Sequence, residues 1–156
     1  MTKLAWLLLA TAPVLGCAAT VQPPKARAPE YLTSPHAAAR ALPFSEAVGV
    51  GDMLYLSGQI GTLPGTDQLA PGGIGPEAEQ ALENIKAVLA RHGSSLDDVV
   101  KCSVFLADMR DWPAFNQVYR KFFSARLPAR SALGANGLAL GAKVEVECLA
   151  YRPGGV

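Results

Sequence analysis

Histidine is nearly absent from this chain, with two in 156 residues, and charge is sparse and balanced, 14 Lys and Arg against 13 Asp and Glu. His36 and His92 have no metal-ligand spacing with a cysteine, so neither a zinc site nor any other metal or cofactor is expected. No basic cluster stands out and aromatics make up only 7%, which sets nucleic acid aside as a partner. No Gly-Lys-Ser/Thr follows a glycine run, and Gly49-Val50-Gly51 lacks the third glycine of a dinucleotide fingerprint. Tyr55 stands where a nucleophile elbow around Ser57 would need glycine.

What the chain does have is apolar residues, half of the total, and a length that suits one domain. The N-terminus differs from the rest. Lys3 precedes an apolar run at residues 4–15, too short to span a bilayer well but right for the core of a secretory signal. Val14-Leu15-Gly16-Cys17 then resembles the lipobox of bacterial lipoproteins, in which the cysteine becomes the first residue and carries the lipid. Lipoprotein signal, plain secretory signal and uncleaved anchor are the three readings, and the first is preferred. It makes residues 1–16 a signal peptide and Cys17 the lipid attachment, with the protein held at the outer membrane or in the periplasm; plain secretion is the alternative. Cleavage there removes Lys3 and leaves a formally neutral chain with little long-range steering of charged ligands.

Residues 17–41 read as a Pro/Ala-rich tether, or else as an arm lying on the domain. The domain is expected over residues 42–152, with a tail at 153–156. Residues 44–50 and 53–60 suit a hairpin turning at Gly51-Asp52, and residues 61–75 suit a loop. A helix opens at Gly75-Pro76, presents Ala78, Ala81, Leu82, Ile85, Val88 and Leu89 as one stripe, turns Glu77, Glu79, Glu83 and Lys86 outward, and ends at Gly93. Residues 99–106 form a strand with Val100, Cys102, Val104 and Leu106 on one face. Asp111 and Pro113 start a second helix whose stripe is Trp112, Phe115, Val118, Tyr119, Phe122 and Phe123. Strands are expected near residues 129–133 and 143–151.

The expected class is therefore α+β, with helices on one face of a sheet. In the last strand Val144, Val146, Cys148 and Ala150 suit the helix-packed face, while Glu145, Glu147, Leu149 and Tyr151 make a mixed opposite face that other copies of the chain would cover. Cys102 and Cys148 read first as small buried hydrophobes, with pairing in an oxidising compartment left open. Arg130 opens a strand among small residues, where its fork can reach a carboxylate; a structural ion pair with Glu145 or Glu147 is the competing reading.

Four segments, in order and spacing, resemble the RidA/YjgF family of imine-hydrolysing proteins: Pro43-Phe44-Ser45-Glu46-Ala47, Leu56-Ser57-Gly58-Gln59-Ile60, Val104-Phe105-Leu106-Ala107-Asp108-Met109, and Pro128-Ala129-Arg130-Ser131 followed by Val144-Glu145-Val146-Glu147. Asn116 also matches. The resemblance implies a chorismate-mutase-like fold, a six-stranded mixed sheet with two helices on one face, assembled as a homotrimer with ligand clefts between subunits. It further implies hydrolysis of 2-imino acids to 2-keto acids and ammonia. Arg130 would hold the substrate carboxylate, Glu145 would activate water, and Gly58, Phe44, Asn116 and Ala132 would line the ligand. Phe44 replaces the family's usual tyrosine, and Ala132 its usual cysteine or threonine. The alternative is a non-catalytic, exported small-ligand-binding or protein-protective module on the same fold.

Overall fold

In a computed structural model of the chain, residues 27–152 and Gly154 are described. The expected signal peptide, Cys17 and the first part of the tether lie outside these residues.

Seven strands form one sheet: β1 (Glu30–Leu32), β2 (Ala47–Val50), β3 (Met53–Leu56), β4 (Gln59–Ile60), β5 (Val99–Leu106), β6 (Ala129–Gly134) and β7 (Val144–Tyr151). Their order is β1-β2-β3-β7-β5-β6, with β4 pairing separately with β7. Only β5 and β6 run parallel; the crossover such a pair needs is helix α3 (Trp112–Phe122). The other helices are α1 (Pro35–Ala39) and α2 (Ile74–Arg91).

Helix α2 forms where apolar residues recur every three or four positions. Ala78, Ala81, Leu82, Ile85, Val88 and Leu89 are all buried. Gly93, at φ +70°, supplies the left-handed residue just beyond its end. Across from this stripe, Val144, Val146, Cys148 and Ala150 of β7 are each 1% exposed or less. Cys102, Val104 and Leu106 of β5 join them, together with Phe115, Val118 and Tyr119 of α3. Each fully buried Leu, Ile or Val here contributes about 2 kcal/mol. Among the described residues the opposite face of the sheet carries no helix, and it exposes Tyr55 and Tyr151.

Several expectations need correction. The sheet has seven strands rather than six, because the expected second strand breaks at Ser57-Gly58 and because the arm contributes β1. Glu30, Tyr31 and Leu32 pair with Gly49, Val48 and Ala47, and the almost fully buried Arg152 donates from Nη2 to Glu30 Oε2 at 3.0 Å. Residues 30–32 thus join the sheet although they precede residue 42. Val100 is exposed rather than buried, since the β5–β7 register shifts between Val99 and Lys101 and puts Val99 in the core. Glu77 faces inward: it is 6% exposed, and its Oε2 accepts the Lys143 backbone N–H at 2.8 Å. His92, just past the end of α2, places its Nε2 2.7 Å from Oε1 of the buried Glu46, which Arg91 also grips. Burial alone would raise the Glu46 carboxyl, but hydrogen bonds from Arg91, His92 and Ser34 outweigh it and hold its pKa below the ordinary value.

Candidate functional site

Strand β6 lies at the edge of the sheet, and Arg130 sits beside Cys102 of β5 in register. Cys102 is fully buried beneath the helices, so the Arg130 side chain leaves the strand on that same face and meets α3. Its Cζ lies 4.5 Å from the Trp112 ring centroid, 4.5 Å from that of Tyr119 and 5.8 Å from that of Phe115. Among the described residues no carboxylate pairs with it, and it donates no hydrogen bond. The competing reading, an ion pair with Glu145 or Glu147, is therefore not what the fold contains. The guanidinium carbon thus sits against a row of aromatic rings, and its N–H groups, which make no hydrogen bond among the described residues, are available to a planar anion.

Trp112, Phe115 and Tyr119, three or four residues apart on α3, bring their rings within 6.2 and 5.6 Å of one another. The sequence reading assigned this stripe wholly to the core and missed its contact with Arg130. The signal was available in the helix that leads directly into the arginine-bearing strand. The Tyr119 hydroxyl is buried without a partner among the described residues, and burial, opposed by the Arg130 charge, pushes its pKa up to about 12. A buried unpaired hydroxyl costs stability. Tyr119→Phe is accordingly expected to leave Tm unchanged or raise it by a few degrees in thermal denaturation, on the order of 1 kcal/mol. A clear fall in Tm would mean that the hydroxyl has a partner.

Glu145 lies on the other face of the sheet. In register it stands beside Phe105 of β5 and Ile60 of β4. Its carboxylate covers Gly58 so closely that a Cβ added there would lie 2.8 Å from Glu145 Cδ. With Glu145 in this position, only glycine at 58 leaves the carboxylate room; a larger residue would push that side chain aside. The segment is held in place by Ser57, whose Oγ donates to Ser45 O at 2.6 Å and whose N–H donates to Glu46 O at 3.0 Å. Asn84 of α2 donates to the carbonyls of Ile60 and Thr62 at 3.0 and 2.9 Å, tying β4 to the helix. Glu145 is half-buried, and burial, with the nearby charge of Glu147 second, raises its pKa above the ordinary carboxyl value.

The expected site residues therefore fall into two sets. Gly58 and Glu145 meet on the open face; Phe44, 53% exposed, precedes Ser45 and so lies in the strand-leading segment hydrogen-bonded to Ser57. Arg130 and Ala132 share the helix-covered side of β6, and half-buried Asn116 follows Phe115 on α3. One chain does not bring Arg130 and Glu145 together. A separate hollow of about 320 Å³ on the open face, lined in part by Tyr55, Lys101, Ser103, Glu147 and Leu149, contains neither of them. Between the two sets, Cys102 and Cys148 are opposite each other in register and joined as a disulfide with Cα atoms 4.1 Å apart. The first reading of these cysteines, as unpaired hydrophobes, is corrected: both are fully buried, but direct cross-strand register brings the sulfurs together. Among the described residues no group of three His, Cys, Asp or Glu could hold a metal ion, and no helix is long and apolar enough to cross a membrane.

The family model described as "Endoribonuclease L-PSP" matches residues 34–152. The chain belongs to this family, the RidA/YjgF proteins. A mouse relative of this RidA-family chain, 2-iminobutanoate/2-iminopropanoate deaminase, is 43% identical over 110 residues, which span 70% of this chain and 82% of the mouse protein. Among solved structures, yeast Mmf1 is 40% identical with a TM-score of 0.69, covering 71% of this chain and 88% of its own. RidA from the Antarctic bacterium Psychrobacter sp. PAMC 21119 is 38% identical with a TM-score of 0.68, covering 78% and 94%. The mixed α+β fold with one open sheet is thus the RidA fold.

Proposed function

We propose that this RidA-family chain hydrolyses 2-imino acids to 2-keto acids and ammonia, at sites completed between copies of itself. The observation that carries this reading is the Arg130 guanidinium, held against the rings of Trp112 and Tyr119 and free of any carboxylate of its own chain among the described residues. Relatives named as deaminases of 2-iminobutanoate and 2-iminopropanoate support it.

The chemistry asks little of the protein. An imine carbon is already electrophilic, and the enzyme has to fix the substrate and deliver water. Arg130 holds the carboxylate. Glu145 takes a proton from water as the water oxygen adds to the carbon of the protonated imine, then gives that proton to the nitrogen; the C–N bond breaks as the C=O bond forms, the hydroxyl proton passes back to Glu145, and ammonia leaves. No covalent intermediate is needed. The purified protein should speed the decay of 2-iminopropanoate and release pyruvate; a decay rate equal to that in buffer would overturn the reading.

The raised pKa of Glu145 sets the acid limb of this reaction. The base must be ionised, so kcat/KM falls as pH drops through a value above that of an ordinary carboxyl. Glu147 adds to the shift because its negative charge disfavours a second one nearby. Glu147→Gln removes that charge, lowers the Glu145 pKa and should move the acid limb to lower pH. An unmoved or upward-shifted limb in a pH–rate profile would exclude Glu145 as the titrating base.

Assembly follows from the two-set geometry. Arg130 and Glu145 lie on opposite faces of one sheet, so a homotrimer in which the open faces pack together, placing the Arg130 of one copy beside the Glu145 of the next, is the proposed unit. Tyr55, Leu149 and Tyr151 supply an apolar part of the open face. We further propose export, with Cys17 lipidated and anchored to a membrane. The buried Cys102–Cys148 disulfide supports this, since such bonds persist in oxidising compartments. Mass spectrometry of the mature protein should find an acylated N-terminal cysteine; an intact Met1 would end the lipoprotein reading. Phe44, exposed and without the usual hydroxyl, favours the second reading, a binding module without turnover. Calorimetric binding of a keto acid by a protein without imine turnover would select that alternative.

A further inference from the structure

We propose that Trp112 and Tyr119 are positioning residues for the substrate-binding arginine, holding the Arg130 guanidinium by cation–π contact with both rings so that its N–H groups are in place for a carboxylate before the substrate arrives. The inference rests on the imine-hydrolase reading above and goes beyond it by assigning work to helix α3.

The geometry is specific. Both ring centroids lie 4.5 Å from Arg130 Cζ, well inside the range of cation–π attraction, while Phe115 stands farther off at 5.8 Å. A free arginine side chain samples many rotamers, and a ligand that must select one of them binds more weakly. Contact with two rings restricts that freedom without occupying an N–H donor. Trp112 itself is firmly placed. It is the first residue of α3, and the helical turn before it, Met109–Asp111, is capped by Asp108, whose Oδ1 accepts the Arg110 backbone N–H at 2.9 Å. Tyr119 is fixed by burial in the core. The edge strand is thereby joined to α3 through the cation itself, and the anion site is formed in the unliganded chain.

Because the clamp acts on substrate binding and not on proton transfer, its loss should appear in KM and leave kcat nearly unchanged. In the full-length protein, Trp112→Leu is expected to raise KM for 2-iminopropanoate about tenfold with kcat within about twofold of wild type, and Trp112→Phe, which retains an aromatic face, to recover most of that loss. Trp112 and Trp6 are the only tryptophans, so indole emission offers a readout independent of turnover and of variant folding. Titration of wild type with pyruvate should give a saturable emission change that Arg130→Ala abolishes. A Trp112→Leu protein with wild-type KM, or an emission unchanged by pyruvate at concentrations that inhibit turnover, overturns the clamp while leaving the hydrolase reading intact. Turnover by Arg130→Ala equal to that of wild type overturns the hydrolase reading itself.

Discussion

Arg130→Ala is expected to lower kcat/KM for 2-iminopropanoate about 100-fold. A guanidinium that meets a carboxylate edge-on can make two charge-assisted hydrogen bonds, each contributing about 1.5–3 kcal/mol. Part of that is offset by desolvation, and a net loss of about 3 kcal/mol corresponds to the 100-fold figure. The carboxylate is gripped in both the bound substrate and the transition state, so most of the change should fall on KM. Arg130→Lys keeps the charge but not the planar fork or its contact with two rings, and should fall between alanine and wild type, about tenfold down. Since Arg130 pairs with no carboxylate among the described residues, its replacement strands no buried acid, and the variant should remain folded by circular dichroism. Imine decay rates that do not distinguish Arg130→Ala from wild type would remove the arginine from the site.

The parts of this fold that could be read in the sequence are those whose cause is local. The alternation Val144, Val146, Cys148, Ala150 appears as a buried face because a strand repeats every two residues. Pro113 marks the first turn of α3, and Gly93 the end of α2, because both depend on neighbouring backbone, although Asp111 at the N-cap position makes no side-chain capping hydrogen bond. What escaped depends on distant partners. Glu77 looks like a solvated helix residue until the Lys143 N–H, 66 residues away, meets its carboxylate. Glu30-Tyr31-Leu32 shows no pattern of its own, and becomes a strand only through register with β2 and the pull of Arg152, 122 residues distant. Motif resemblance marked Arg130, Glu145 and Gly58, and the Gly58–Glu145 contact gives that glycine a steric reason. It did not mark Trp112, because an aromatic stripe on a helix reads the same whether the rings pack on leucine or on a cation.

Loss of the Cys102–Cys148 bond is expected to cost about 4 kcal/mol and to lower Tm by about 12 °C. The two residues are 46 apart in sequence, and a cross-link closing a loop of that length removes about 4 kcal/mol of unfolded-chain entropy at 25 °C. At roughly 3 °C per kcal/mol for a domain of this size, the shift follows. Both residues are at most 1% exposed, so reductant should reach the sulfurs only through opening of the fold. Dithiothreitol added to native protein should thus act slowly, whereas protein refolded under reductant should show the full loss. Cys102→Ala combined with Cys148→Ala should give a similar Tm, lowered further by about 1 kcal/mol for each gap left in the core. Equal Tm values for oxidised and refolded-reduced protein would show that the bond does not constrain the chain. The consequence for activity differs from the consequence for stability. Cys102 stands beside Arg130 in the sheet, and Cys148 lies on the strand that carries Glu145, but the flanking ladder Val104–Val146 and Leu106–Val144 keeps β5 and β7 in register without the sulfurs. At 25 °C, well below the lowered Tm, the reduced protein should therefore keep most of its imine turnover, and the difference should open only as temperature rises toward unfolding.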